Sequence, residues 1–348
     1  MTHWIIGIVV FIIICVVALQ IYLSEPGYKG PVSDHFDGKT FINYGKVKEA
    51  GFMDLLKWLT SREKGEGNKG TEEIKTNTPE EKIEEGIKFT FVNHTTFLIQ
   101  FNGINILTDP IWSERTSPFQ WIGPKRQAKS GIKFEDLPQI DFVLISHNHY
   151  DHLDIGTLKQ LDQKFAPQII AGLGVGAYLK KEGIKQVKEM DWWEKIDFGS
   201  FTLHSVPAQH FSGRGTLDRN KTLWCGFVIE TKEGSIYFAG DTGYGIFLEM
   251  IKEKFPKLDL ALLPIGAYKP SWFMSPIHIS PKEAVQIHKL LNIKKSIATH
   301  FGTFALADEG WNDPIKDLKA ALKADTLTPE DFVALKNGES LYFTKGSF

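Results

Sequence analysis

Hydrophobic and polar positions change their spacing along the chain, and each change marks a different element. Trp4 to Leu23, WIIGIVVFIIICVVALQIYL, holds no charged residue. A run of that length spans a bilayer core of roughly 30 Å as a helix. It is apolar all round, unlike a helix that packs one face on a soluble domain. A cleaved signal peptide carries a basic start and a small-x-small cleavage site. This chain opens Met-Thr-His and offers no Ala-x-Ala, so a retained single-pass anchor over 4–23 is expected, with the protein at a membrane. The first basic residue after the span is Lys29, which leaves the side of the catalytic domain unassigned.

Residues 24–86 read as stem, short helix and polar linker. Pro26, Gly27, Gly30 and Pro31 fall in the stem. In FMDLLKWLTSR, the residues Phe52, Leu55, Leu56, Trp58 and Leu59 recur near helical spacing, which predicts a helix packed on the following domain. EKGEGNKGTEEIKTNTPEEKIEEG is polar and turn-rich, a surface connection. From Ile87 onward short β-rich runs recur, among them DFVLIS, QIIAG, SFTLHSVPA, LWCGFVIET, SIYFAGD, LALLPIG and KSIATH. GVGAYLKKEG and SPKEAVQIHKLLN lie between them with helical character. The latter starts with a capping serine, Ser280, then Pro281 and the capping-box Glu283. Strands with interspersed helices predict an α/β (α+β) domain over 87–348.

Composition sharpens this outline. The chain has 348 residues, 42% of them hydrophobic, enough for a large core. A formal charge of -2 argues against nucleic acid as a partner. With only Cys15 and Cys225 there is no disulfide framework. Stability then falls to the core and to any bound metal. Oligomeric state is left open.

The chemistry concentrates in ISHNHYDHLD, directly after the apolar DFVLIS. In an extended segment alternate side chains share a direction, so His147 and His149 can grip one ion. After the turn, Asp151 and His152 can face a second. Imidazole nitrogen and carboxylate oxygen are ligands that Zn²⁺ accepts in catalytic sites, although other divalent metals accept them too. Further candidates stand at or beyond apolar strands: His210 in SVPAQHFSGRG, Asp241 in SIYFAGDTGY and His300 in KSIATHFGT. Asp241, placed between two cations, would offset their repulsion. Tyr150 and Asn148 read as spacers, Leu153 as a core plug, and Asp154 has no assigned role.

SHNHYDHLD, His210, GDTGY and ATHFGTF, in that order and after LTDP, resemble the metal signature of metallo-β-lactamase-fold hydrolases. Within that superfamily the chain is most similar to N-acylphosphatidylethanolamine-hydrolysing phospholipases D and their bacterial relatives. LTDPIWSERTSPFQWIGPKR, LPQIDFVLISHNHYDHLD, FAGDTGY, PIGAYKPSWFM and HFGTFALADE carry the likeness, over about His35 to Trp311. The resemblance implies a four-layer αββα sandwich with two zinc ions. It implies His147, His149 and His210 on one ion, Asp151, His152 and His300 on the other, and Asp241 bridging. Asp109 would accept a hydrogen bond from a ligand histidine. His278 in SPIHISPKEA would lie near the substrate phosphate and share in catalysis with Asp109, Asp151 and Asp241. His288 would be structural or exposed. Arg126 and Tyr268 are weaker candidates for the substrate wall.

The activity implied is attack by a zinc-bridging hydroxide on a phosphodiester of an (N-acyl) phospholipid. The anchor favours a membrane lipid substrate, since tethering raises its effective concentration. A small ester or lactone is the alternative substrate, and a non-enzymatic metal-binding membrane protein is the third reading. A long apolar groove leading to the metal would favour the lipid. A small polar cup would favour the lactone.

Overall fold

The computed structural model describes residues 2–48, 50–67, 74–344 and 346. Part of the polar linker, 68–73, lies outside them. Two mixed seven-stranded sheets form the domain. The first holds β1 (Ile87–Asn93), β2 (Thr96–Phe101), β3 (Ile104–Thr108), β4 (Phe142–Ile145), β5 (Gln168–Gly172) and β6 (Val187–Met190), and β14 (Ser340–Phe343) lies beside β1. The second holds β7 (Lys195–Asp197), β8 (Phe201–Val206), β9 (Gly226–Thr231), β10 (Gly234–Phe238), β11 (Leu260–Pro264), β12 (Lys295–Thr299) and β13 (Phe332–Val333), ordered β13-β12-β11-β10-β9-β8-β7. The helices are α1 (Thr2–Leu23), α2 (Phe52–Thr60), α3 (Ile155–Phe165), α4 (Val175–Lys181), α5 (Phe247–Lys254), α6 (Ser271–Met274), α7 (Pro281–Leu290) and α8 (Asp313–Ala324).

The period of two along the strands sorts the apolar residues between two cores. In β2, Phe97, Ile99 and Phe101 enter the main core with Leu203, Phe227 and Phe238 of the second sheet. Leu98 instead joins a separate cluster with Leu158 and Leu161 of α3 and Leu179 of α4. The main core also takes in Phe247 of α5, Ile287 of α7 and Leu318 of α8. Helices therefore cover the first sheet with α3 and α4 and the second with α5, α7 and α8. The predicted start of α7 is present: the Ser280 side chain accepts from the Glu283 N–H, and the Glu283 carboxylate accepts from the Ser280 N–H at 2.7 Å. Cys225 lies one residue ahead of β9 and is buried.

Within each sheet the strands that feed the site run parallel, β3 beside β4 and β10, β11 and β12 side by side. Their C-terminal ends therefore emerge on a common edge, the edge where open α/β sheets bind ligands.

One part of the 24–86 segment departs from expectation. The stem is not a free spacer. Phe36 and Phe41 are fully buried in the main core, each contributing roughly 1.5–3 kcal/mol of transfer free energy. The Tyr28 N–H donates to the Lys221 carbonyl at 2.8 Å and the Phe41 N–H to the Asn220 carbonyl at 2.7 Å. Residues 28–43 thus form a strap bound to the domain, and the boundary at 87 is no break in packing. The helix α2 packs on the domain as expected, but narrowly: Trp58 is partly buried against Ala267, Met274 and Ala307, while no residue of α2 is fully buried and Phe52 and Met53 are 76% and 71% exposed. It is held at its end: the Trp58 indole N–H donates to Asp308 at 2.9 Å, Arg62 Nε to the other oxygen of Asp308 at 2.6 Å, and Trp58 stacks on Phe273. α1 is apolar and exposed, and of the described helices it is the one long enough to cross a membrane.

Candidate metal centre

The strand ends bring together the predicted ligand residues from segments far apart in sequence. β4 passes directly into Ser146 and His147. There His147 Nε2 lies 2.8 Å from His149 Nδ1, and His210 Nε2 lies 3.2 Å from the same nitrogen. Three imidazole nitrogens thus converge, one group able to hold an ion. A second group is built around carboxylates. Asp151 Oδ2 lies 3.2 Å from His152 Nε2 and 3.3 Å from His300 Nε2. Asp241 Oδ2 stands 3.1 Å from each of those two nitrogens and 3.9 Å from His210 Nε2. Asp241 therefore faces both groups. His278 adds its Nδ1 at 3.7 Å from the same oxygen.

The local backbone explains this placement. Gly240 has φ +60°, and a Cβ there would lie 2.6 Å from the Cβ of Ser146. Glycine lets the end of β10 press against the end of β4 and aims Asp241 inward. Asp109, just past β3, is fully buried. It accepts from the Ser146 N–H at 2.7 Å and from the Ser146 hydroxyl at 2.6 Å, and it lies 2.7 Å from His152 Nδ1. The His152 ring is thereby set with Nε2 towards the cluster. His210 is set in the same way, its Nδ1 lying 2.8 Å from the Ile277 carbonyl.

Burial and neighbouring charges sort the titrations. Burial holds His149 down to about 3 and His278 to about 4, and it holds His147 and His210 well below the ordinary imidazole value. These rings present neutral nitrogen, the form that binds metal. For His300, burial acts in the same direction but is outweighed by Asp241 and Asp151, which raise it to about 9. Asp241 is driven the other way. Burial opposes its charge, yet His152 and His300 keep it well below the usual carboxylate range.

The cluster also leaves atoms unsatisfied. His149 Nε2, His152 Nε2, His300 Nδ1 and Asp241 Oδ1 are buried with no hydrogen-bond partner among the described residues. Facing nitrogens, converging carboxylates and unpaired buried atoms together fit a cation, whose charge would satisfy what the protein leaves open.

Several residues take roles that the sequence reading did not assign. Tyr150 and Asn148 are not spacers. The Arg214 guanidinium lies 3.9 Å over the Tyr150 ring and donates to the Asn148 and Leu153 carbonyls, each at 2.9 Å, and Asn148 Oδ1 accepts from the Gly213 N–H at 2.7 Å. The histidine loop is thereby tied to the 212–219 loop. Asp154 caps α3 and also accepts from the Ser113 N–H and hydroxyl and from the Thr157 hydroxyl. Asn43 of the strap donates to the His210 carbonyl and accepts the His210 N–H.

Two candidates for the substrate wall point elsewhere. Arg126 donates to the Ile111 and Ser113 carbonyls, and the Tyr268 hydroxyl donates to Asp317 at 2.6 Å. His288 is buried, its Nδ1 2.9 Å from the Ser296 hydroxyl, a structural role. His94 was missed. It lies in the β1–β2 hairpin with Nε2 3.0 Å from Asp151 Oδ2, and VNHTTF marks it only by a histidine at a turn.

A cavity of about 640 Å³ opens onto His149, Asp151, Asp241, His278 and His300. Its outer wall is apolar: Phe52, Leu55 and Trp58 of α2, Phe211, and Phe273 and Met274 of α6.

Comparison with known proteins agrees with the geometry. Residues 104–301 match the beta-lactamase superfamily domain. The chain is 38% identical over 270 residues to N-acyl-phosphatidylethanolamine-hydrolyzing phospholipase D 1 of Caenorhabditis elegans, an alignment covering 74% of this chain and 76% of that protein. It is 39% identical over 227 residues to the mitochondrial N-acyl-phosphatidylethanolamine-hydrolyzing phospholipase D of Saccharomyces cerevisiae, covering 63% of this chain but only 48% of that longer protein. An isothiocyanate hydrolase from Delia radicum gut bacteria shares the fold, with a TM-score of 0.60 and 20% identity over 74% of this chain and 99% of its own. The chain belongs to the metallo-β-lactamase-fold superfamily and is a metal-dependent hydrolase of it.

Proposed function

We propose that the protein is a membrane-anchored dinuclear zinc phosphodiesterase of phospholipase D type, acting on N-acylated or ordinary phospholipids. The observation that carries this reading is the apolar cavity that ends on the metal cluster. Its wall suits acyl chains, and a small polar substrate would gain nothing from Phe52, Leu55, Phe273 and Met274. The foot of α1 supports the same reading. The Gln20 side chain accepts from the Thr216 N–H and hydroxyl, at 3.0 and 2.8 Å, and Ser24 Oγ accepts from the Leu217 N–H at 3.2 Å. Gly215 and Thr216 also line the cavity, so an α1 that crosses the bilayer would hold the cavity mouth at the membrane surface.

His147, His149 and His210 would hold one ion, and Asp151, His152 and His300 the other, with Asp241 shared. When bound, such cations depress the pKa of water and offset charge developing on a phosphoryl group. The chain's own residues then do the orienting. Asp109 fixes the His152 tautomer through the 2.7 Å contact to Nδ1. His278 lines the cavity, and its Nδ1, without a hydrogen-bond partner among the described residues, lies 3.7 Å from Asp241 Oδ2, which would set the ring beside the phosphate. With an acyl chain bound, the aromatic residues of α2 and α6 would exclude water from the apolar end. Water would add to phosphorus, and the phosphorus–oxygen bond on the headgroup side would break, leaving phosphatidic acid and the headgroup alcohol.

The test is a hydrolysis screen of the zinc-loaded protein against N-acylphosphatidylethanolamine, phosphatidylethanolamine, lactones and small phosphodiesters, with Asp241→Asn as control. Phosphatidic acid produced by the wild type and lost in the variant is expected. Lactone turnover without phospholipid turnover would replace the lipid reading. Equal turnover by the variant would remove the metal mechanism.

A further inference from the structure

The ligand set leaves His94 without a role, although it touches that set on every side. It sits in the left-handed region, φ 47°, in the turn of the β1–β2 hairpin. Its carbonyl accepts from the His300 N–H at 2.8 Å and from the Thr299 hydroxyl at 3.2 Å. Its own N–H donates to the Thr303 hydroxyl at 2.8 Å. The hairpin and the end of β12 are thus joined through this one residue. The ring is buried, 4.3 Å from the His300 ring and edge-on to Phe304 at 5.4 Å. Its polar contact is Nε2 to Asp151 Oδ2 at 3.0 Å, while Nδ1 has no partner among the described residues.

His94 differs from the neighbouring histidines in what it faces. His152 and His300 each stand between two carboxylates, Asp151 and Asp241. The ion pair of His94 is with Asp151, and a ring nitrogen of His94 lies within 4.8 Å of the ligand atoms of Asp151, His152 and His300. A carboxylate on a short stem rotates broadly about its last torsion. Turned by a quarter, Asp151 would no longer present an oxygen to the position between His152 and His300. We propose that His94 is a positioning residue: it donates its Nε2–H to Asp151 and holds that carboxylate in its ligating orientation, while its backbone holds His300. Outer hydrogen bonds of this kind act on metal affinity through the ligand they orient.

This inference rests on the metal-centre reading, and one experiment separates the two. Zinc affinity is measured by competition with a chelator, and zinc content at saturation by mass spectrometry, on the intact protein in detergent. The wild type is compared with His94→Ala and His94→Gln, the latter able to place an amide N–H near the position of Nε2. The expected result is a loss of about 10- to 100-fold in affinity for His94→Ala, with zinc content at saturation unchanged and affinity largely restored in His94→Gln. Unaltered affinity in His94→Ala would overturn the proposal. So would the loss of a whole zinc equivalent at saturation, which would make His94 a ligand. If His94→Ala does not fold, His94→Phe, which fills the ring space without a donor, takes its place against His94→Gln. A wild type that binds no zinc sinks the metal-centre reading itself. Zinc binding by the wild type with no effect of the variants sinks only the role of His94.

Discussion

At the scale of single residues, the site is organised by carboxylates that hold histidines. Asp109 accepts from the Ser146 N–H and hydroxyl as well as facing His152, so its buried charge is fully hydrogen-bonded. Asp109→Asn places a donor where acceptors are needed. Metal affinity is expected to fall about 10- to 100-fold with the fold intact, checked by chelator competition beside a thermal melt. An unchanged affinity would contradict the role. Arg214 works at longer range, clamping the carbonyls of Asn148 and Leu153 while stacking on Tyr150. A lysine reproduces neither the fork nor the stack. Arg214→Lys is therefore expected to lower metal affinity as well, whereas a surface arginine changed to lysine would not. The histidines and aspartates of HNHYDH were legible because they are local and chemically distinctive. Arg214, Asn43 and His94 were not, because their partners lie 66, 167 and 57 residues away. Their meaning exists only after the strands are assembled.

At the scale of elements, the strap departs from a stem read from proline and glycine, and α2 is a helix as its spacing predicts but packs on the domain only through Trp58. The spacing of Phe52, Leu55 and Leu56 correctly gave a helix, but an apolar stripe does not say whether core, ligand or membrane will cover it. Here it borders the cavity. Phe52→Ser with Leu55→Ser is expected to raise KM for long-chain phospholipid in mixed micelles several-fold, leaving turnover of a soluble phosphodiester unchanged. Equal effects on both substrates would assign α2 to structure. In the strap, proline and glycine suggested a stem, while the anchoring Phe36 and Phe41 are too far apart in pattern to announce a core contact. His35 adds a pH-dependent clamp, with Nδ1 2.5 Å from Asp34 and Nε2 2.7 Å from Asp191. Burial opposes its charge, but hydrogen bonds to Asp191 and Asp34 outweigh it and raise the imidazole pKa above 6.5. A raised pKa contributes stability fully below the unfolded value and loses it as pH rises through the folded value. The stability difference between wild type and His35→Gln should shrink as pH rises above 6.5. A difference that grows with pH would contradict the clamp.

At the scale of the whole molecule, one apolar helix, two mixed sheets and a cavity at their common edge make a single arrangement. α1 meets the domain beside the loop that borders that cavity. Deleting residues 2–23 is expected to move the protein from the membrane pellet to the soluble fraction while preserving metal binding. A full-length chain found soluble would remove the anchor from the account. The claim on which everything else depends is that the strand ends form a metal centre. Its most direct test is the metal content of the purified full-length protein, measured by mass spectrometry before and after Asp241→Asn. Two zinc equivalents per chain are expected in the wild type and fewer in the variant. Background metal in the wild type after zinc loading, with phospholipid turnover intact, would contradict that claim.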